Sequence, residues 1–508
     1  MKNALQRLEF PEIFLGIVSP VGVSIKSTID AISDFYKNNG YDVVEIKVTD
    51  YFDQIKRGLD IDLPLEKSPL DVRIKNYISF GNKVRSIFDD NSILAAYTIY
   101  RIMKDRDRNF KNKDRISYQK RAYILYQFKR KEEIDLLRSV YGRLFYQISV
   151  YSRRVSRIEY LSHRIAHERN TADQSTSKPI ADDLVSIDEN ERSNKFGQRV
   201  TKIFHDADFI VNSDLVEKDT VEKQVTRFGE LLFSSNAISP TKQEYGMFAA
   251  KAAALRTLDL SRQVGAAIFR PSGEIICMGS NEVPKAHGGT YWCDESFDAR
   301  EYTKDEDSNE VRKRELLAEI RAAMPTIMTF DEFLDQEAVR ESQFMDALEY
   351  GRIVHAEMSA ISDAARLGVS IGGSTLFVTT FPCHMCAKHI VAAGIKSVIF
   401  LEPYPKSLAS DLHSDAIQVE GAPRGRFESY PHVDFEHFHG VTPRRYRELF
   451  ERETRKKSGK FQKYIQGKKR PNINLIAPFY TELEREVVKY GLIEYERVRG
   501  GALDNSVA

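Results

Sequence analysis

Two short segments of the chain, His355-Ala-Glu357 and Pro382-Cys383-His-Met-Cys386, carry residue types at spacings that suit metal chemistry. Of the four cysteines, Cys383 and Cys386 are the closest pair. Cysteines three apart at a helix start lie on one face, one turn apart, and Pro382 is tolerated because the first turn has no amide partner to lose. Both sulfurs can then reach one ion, and the positive end of the helix favours the ligating thiolate. His355 supplies a nitrogen from the start of another helix. Three protein ligands leave the fourth tetrahedral position to water, which distinguishes a catalytic Zn2+ from a closed structural one. Glu357 needs no metal bond: its carboxylate can take a proton from water and pass it to a substrate nitrogen. A lone C-x-x-C is equally half of a structural zinc site, and a lone H-x-E is usually surface. The two halves in order are what point to catalysis.

Elements must bring these residues together. From Thr241 the pattern predicts a helix to Leu258, a strand Val264–Arg270, a turn at Pro271-Ser-Gly273 and a strand Glu274–Gly279. A helix Glu357–Leu367, a strand Thr375–Thr379, a helix Cys383–Ala393 and a strand Ser397–Leu401 follow. This order is a hairpin followed by βαβ-like alternation, and the Thr375–Thr379 strand lets the two helix starts lie side by side at one end of a sheet. The segment from about Lys285 to Ala347, with a helical stretch Arg312–Met324, reads as an insertion over the site.

Ahead of the turn-rich Ser234–Pro240 segment, a strand Glu12–Ser19, a helix Ser24–Tyr36 and a strand Tyr41–Val48 open a βαβ unit. Apolar runs at Arg121–Tyr126, Phe145–Tyr151 and Ala207–Asn212 extend it to a parallel, doubly wound α/β sheet. The polar stretch His167–Asn194 is expected to be a loop or lid. Gly16-Ile-Val-Ser-Pro-Val-Gly22, then Lys26-Ser27, lies between strand and helix, where a phosphate-cradling P-loop belongs. The spacing departs from that motif, because five residues separate the glycines and Lys26 does not follow the second directly. Gly16, Gly22, Lys26 and Ser27 are candidates for nucleotide binding and equally for a plain strand-to-helix turn. Phosphoryl transfer is disfavoured, since no apolar strand ends in an aspartate placed for Mg2+. A sensor domain is the expectation for residues 1–235.

Lys and Arg number 75 against 74 Asp and Glu, so no global field draws the protein to nucleic acid or an anionic membrane. The local exception is Arg444–Arg470, where twelve Lys or Arg face three Glu, enough for several phosphate contacts or for a solvated basic helix. No secretory leader opens the chain and no apolar run approaches the roughly 18 residues of a membrane span, so a cytoplasmic protein is expected. Cys293 with His287 makes only two ligands, which is not a site, and Cys277 reads as a buried strand residue.

H-x-E with P-C-x-x-C is the pattern of the zinc-dependent nucleobase deaminases. With Asp259-Leu-Ser-Arg-Gln-Val-Gly-Ala-Ala-Ile, Gly279-Ser-Asn281-Glu-Val-Pro284, His355-Ala-Glu-Met-Ser-Ala and Thr375-Leu-Phe-Val-Thr-Thr-Phe-Pro-Cys-His-Met-Cys, the chain resembles the deoxycytidylate deaminase family. The resemblance implies a three-layer α/β deaminase domain over residues 241–480, Zn2+ on His355, Cys383 and Cys386, and Glu357 as proton carrier. It further implies that Asn281 bonds the sugar, in a motif whose glycine is here Glu282, and that Tyr404 lies near the substrate phosphate. Ser359 stands where most members have asparagine. By residue type alone Asn281 is equally a turn former after a strand, and Tyr404 a packing residue.

With the kinase-like first half, Glu349–Ala360, Glu402-Pro-Tyr-Pro-Lys-Ser and His439-Gly-Val-Thr-Pro-Arg-Arg-Tyr, the whole chain resembles the bacterial anti-phage dCTP deaminases. That likeness implies conversion of dCTP, and often dCMP, to the uracil nucleotide, which starves a phage of a DNA precursor. It also implies a homo-oligomer and, as in some members, inhibition by a small regulatory RNA. The competing readings are a deaminase acting on nucleic acid and a kinase fused to a deaminase.

Overall fold

A computed structural model of the chain describes residues 7–109, 118–170, 175–214, 218–325 and 328–504. The strands in chain order are β1 Ile13–Val18, β2 Asp42–Lys47, β3 Arg121–Tyr126, β4 Phe145–Tyr151, β5 Phe209–Asn212 and β6 Gly265–Phe269. They continue as β7 Ile275–Ser280, β8 Thr375–Thr380, β9 Ser397–Glu402, β10 Ile417–Val419, β11 Val433–His437 and β12 Gly440–Val441. The chain forms two compact units, Met1–Pro240 with His439–Ala508, and Thr241–Phe438.

The first unit is built on a sheet of order β12-β5-β4-β1-β3-β2, parallel except for β12. Every residue of β1 is buried, as expected of a parallel strand covered on both faces, and this is why the run reads as continuously apolar. The expected second domain, 241–480, in fact ends at Phe438, because the chain then returns to the first unit. Polar contacts enforce that return. The Thr442 hydroxyl donates to the Ala207 carbonyl at 2.7 Å, and Arg445 pairs with buried Asp208 at 3.2 Å. The Tyr480–Asp504 helix brings Glu484 to buried Arg106, while the Tyr480 hydroxyl donates to Glu12 at 2.6 Å. A carboxylate or guanidinium left alone in this interior is costly, so these pairs hold the C-terminal segment in place.

His167–Asn194 is no loop: a helix runs Ser177–Asn190 and packs on the Arg154–Glu168 helix through Leu161, Ile165, Leu184 and Val185. Residues 171–174 of that stretch lie outside the described residues. Its buried stripe is Ala181, Leu184, Val185 and Asp188, a helical spacing disguised by one carboxylate. Arg444–Arg470 is likewise not one helix. It comprises all but the first residue of a Pro443–Phe450 helix, a two-stranded hairpin of Lys456–Lys457 with Lys460–Phe461, and a loop. Six of its twelve cations pair with acids: Arg444 and Arg445 with Asp208, Arg447 with Glu451, Lys469 with Glu230, and Lys468 and Arg470 with Glu9.

The second unit holds the sheet β10-β11-β9-β8-β6-β7. β6 runs antiparallel to β7 and β8, whereas β8, β9, β11 and β10 are parallel. The hairpin and the alternation that follows are as expected, and β10 and β11 extend the sheet beyond the expected strands. Ala266, Ile268, Leu376 and Val378 face the helices Ala356–Arg366 and His384–Ala392. Gly265 and Phe377 meet the Lys242–Ala254 helix on the opposite face, which makes three layers. The inserted segment carries a helix Ser308–Ala322. Among the described residues no helix is long and apolar enough to cross a membrane.

Candidate active site

His355 and Cys383 occupy equivalent places, each the residue that caps a helix at its N-terminus, with extended backbone at ψ 155° and ψ 166°. Gly279 lets the His355 helix approach β7: a Cβ there would lie 2.2 Å from the Ala356 carbonyl oxygen. β8 ends at Thr380 and hands the chain to Cys383, whose helix places Cys386 on the same side. The His355 Nδ1 atom is 3.3 Å from Cys383 Sγ and 3.4 Å from Cys386 Sγ, and all three donor atoms lie within 4.8 Å of one another. Tetrahedral Zn2+ with ordinary bond lengths needs about 3.6 Å between nitrogen and sulfur donors. The set therefore fits zinc closely. Among the described residues it is the one cluster of three or more such groups placed to hold a metal.

The electrostatics agree with that use. A hydrogen bond from Cys386 pushes the Cys383 thiol down to about 4, while the same bond and burial hold Cys386 well above its ordinary value. The hydrogen bond to Cys383 raises His355 to about 9. Without an ion these groups hold each other by sharing protons that a cation would displace. Glu357, on the first turn of the helix His355 caps, is buried, and burial lifts its carboxyl above the usual range. A carboxylate so poised can both accept and return a proton.

His355, Glu357 and Cys383 line a cavity of about 280 Å³, near the lower end of small-molecule sites at roughly 300 Å³, with Cys386 buried behind its wall. The walls include Asp259, Arg262 and Asn281, the inserted Met345 and Asp346, and Leu348, Tyr404 and Lys406. Asn281 is the hub of one wall. Its Nδ2 donates to the Arg262 carbonyl at 2.7 Å and to the Asp259 carboxylate, and its Oδ1 accepts from the Val264 N–H at 2.8 Å. Both donor hydrogens are thus used within the protein, and only a lone pair of Oδ1 remains for a ligand. Tyr404 lies under the Arg262 guanidinium, 5.5 Å from the ring centre. Lys406 pairs with Asp346.

Of the residues expected from the sequence, His355, Glu357, Cys383, Asn281 and Tyr404 line one cavity and Cys386 is buried beside Cys383, while Asp259, Arg262 and Lys406 were not expected there. The signal for the first two was the Asp259-Leu-Ser-Arg string ahead of a strand. Ser359 does not line the cavity, and Glu282 turns away from it: its carboxylate accepts from the Leu258 N–H at 3.1 Å and faces Arg300. The four candidates around the first unit's glycine-containing loop do not line one cavity together. Gly16 is mid-strand in β1 against the Phe145 ring, and the Lys26 side chain is 81% exposed and paired with Asp30. Gly22 lines a cavity with Ser19 and Gln127, and Gly16, Lys26 and Ser27 do not line it. Cys277 is buried in β7, and Cys293 is exposed.

Residues 240–402 match the family described as "Cytidine and deoxycytidylate deaminase zinc-binding region". Deoxycytidylate deaminase of Enterobacteria phage T2 is 40% identical over 79 residues, 15% of this chain and 42% of that protein. The mouse deoxycytidylate deaminase is 28% identical over 158 residues, 31% of this chain and 63% of its own length. The chain thus spans less than two thirds of these curated relatives. A dCMP deaminase of the cyanophage S-TIM5, solved in complex with dCMP and dUMP, aligns at 19% identity over 40% of this chain and all of its own, with a TM-score of 0.23. Residues 240–402 are thus similar to the cytidine and deoxycytidylate deaminase zinc-binding region.

Proposed function

We propose that the protein hydrolytically deaminates deoxycytidine nucleotides, dCTP and dCMP, to deoxyuridine nucleotides and ammonia. The observation that carries this reading is the convergence of three metal-suited donor atoms at the wall of a cavity that also holds the buried Glu357 carboxylate, Arg262 and Tyr404. His355, Cys383 and Cys386 would hold Zn2+, which when bound supplies a Lewis acid that brings the pKa of water toward neutrality. Glu357 takes a proton from the attacking water and delivers it to N3 of the cytosine ring. Once C4 is tetrahedral, the carboxylate takes the proton of the new C4 hydroxyl and gives it to the amine, whose C–N bond breaks to release ammonia as the C4 carbonyl forms. The remaining lone pair of Asn281 accepts from a sugar hydroxyl, and Arg262 with Tyr404 meets the phosphates.

The names of the phage T2 and mouse relatives, both deoxycytidylate deaminases, support the deoxycytidine nucleotide. The likeness of the whole chain to bacterial anti-phage dCTP deaminases supports dCTP itself, with depletion of a phage's DNA precursor as the outcome. Incubation of the purified zinc-loaded protein with labelled dCTP, dCMP, cytidine and a cytosine-containing oligonucleotide, followed by chromatography, tests this directly. Uracil nucleotide from dCTP and dCMP is expected. Deamination confined to the oligonucleotide would replace this function with one on nucleic acid.

A further inference from the structure

A second cavity, of about 230 Å³, lies in the first unit where strands β1, β2 and β3 end: Ser19, Lys47 and Gln127, at the carboxyl ends of these strands, all line it. Ligands of open parallel sheets sit in such crevices. Among the described residues five cations line the cavity, Lys47, Arg73, Arg85, Lys129 and Arg164, and no Asp or Glu does, in a chain whose charges otherwise cancel. Arg85 and Lys129 are neutralised from behind, by Glu133 and Asp188, each at 2.8 Å. Lys47 lies 3.3 Å from Asp50 and Arg164 3.5 Å from Glu168, solvent-facing pairs of little strength. Arg73 has no ion pair among the described residues.

Two further features select the ligand. Gln198 is 7% exposed and lines the cavity, yet its Oε1 accepts no hydrogen bond. A buried acceptor of this kind calls for a donor, such as a hydroxyl or a base amino group. Phe52, Tyr77 and Tyr160 add aromatic surface to the wall, on which a base can stack. The glycine-containing loop, in contrast, already carries a carboxylate: the Val21 N–H donates to Asp188 Oδ2 at 2.7 Å.

We propose that this cavity binds a nucleoside phosphate, its phosphates on Lys47, Arg73 and Arg164 and its base among Phe52, Tyr77 and Tyr160. Lys26 takes no part. With no lining carboxylate to hold Mg2+, the ligand is bound and not turned over. This inference is independent of the deaminase reading.

The test uses the full-length protein and equilibrium dialysis of labelled ATP and dTTP, with inorganic tripolyphosphate as the phosphate-only probe. At least one nucleotide should bind, and the Arg73→Ala/Arg164→Ala pair should weaken it by about tenfold or more. Gln198→Leu should weaken the nucleotide and leave tripolyphosphate unchanged, while Lys26→Ala should change neither. Should the paired variant not fold, Arg73→Gln alone gives the same reading. The proposal is overturned if neither nucleotide binds at millimolar concentration, or if the arginine variants bind as the parent does. It is equally overturned if tripolyphosphate binds as tightly as the nucleotides, if Arg262→Ala abolishes binding, or if ATP is converted to ADP.

Discussion

The Glu282 carboxylate and the Arg300 guanidinium lie 3.8 Å apart with 1% and 3% of their side chains exposed. Glu282 also accepts from the Leu258 and Val283 N–H groups. In the resembling motif this position is glycine, so the larger side chain here ties the inserted segment to the wall of the site.

Glu282→Gly should release that tie. The insertion supplies Met345 and Asp346 to the cavity, so KM should rise while zinc content is kept. Removing one partner of a buried pair costs about 3 to 5 kcal/mol. Since Arg300 keeps Asp298 at 2.5 Å, the lower end applies. Hydrogen exchange across residues 285–347 reads the effect: unchanged protection would mean that the tie does not hold the insertion.

Zinc affinity should rise with pH. In the ion-free protein His355 keeps its proton up to about 9 and Cys386 keeps its own higher still, yet both must lose them to ligate. Below that range each displaced proton makes affinity climb by about tenfold per pH unit, and binding should release roughly two protons. Chelator competition across neutral pH measures the slope. A flat profile would mean that these groups are not the ligands.

Arg262→Ala should separate phosphate from base recognition. Arg262 is exposed at the cavity wall above Tyr404, so its loss should leave folding and zinc intact. A charge-assisted bond to phosphate is worth about 1.5 to 3 kcal/mol, so KM for dCTP should rise roughly tenfold or more while deoxycytidine is handled as before. Equal effects on nucleotide and nucleoside would assign Arg262 to wall packing instead.

The metal donors were legible because H-x-E and C-x-x-C are local spacings, and each falls at a helix start that amphipathic periodicity marks. What escaped the sequence depends on distant partners. The Ser177–Asn190 helix hid because Asp188 occupies a core position, and only Lys129 and the Val21 amide make that carboxylate tolerable there. The return of Thr442, Arg445 and Glu484 to the first unit joins residues hundreds apart, with no periodic signal to announce it. β10, at three residues, is too short to establish an alternation, whereas β11 does alternate, Val433-Asp-Phe-Glu-His437, and was overlooked. Asn281 could be found as a residue type, but its commitment to Asp259, Arg262 and Val264 could not.

The central claim is that Glu357 moves protons and does not hold the metal. Glu357→Ala, compared with the parent protein in one preparation, tests it by zinc stoichiometry and ammonia release from dCTP. The account predicts one bound zinc per chain in both proteins and a loss of roughly 10²- to 10⁴-fold or more in rate, the range for removing a general acid–base. Loss of zinc along with activity, or deamination at the parental rate, would contradict it.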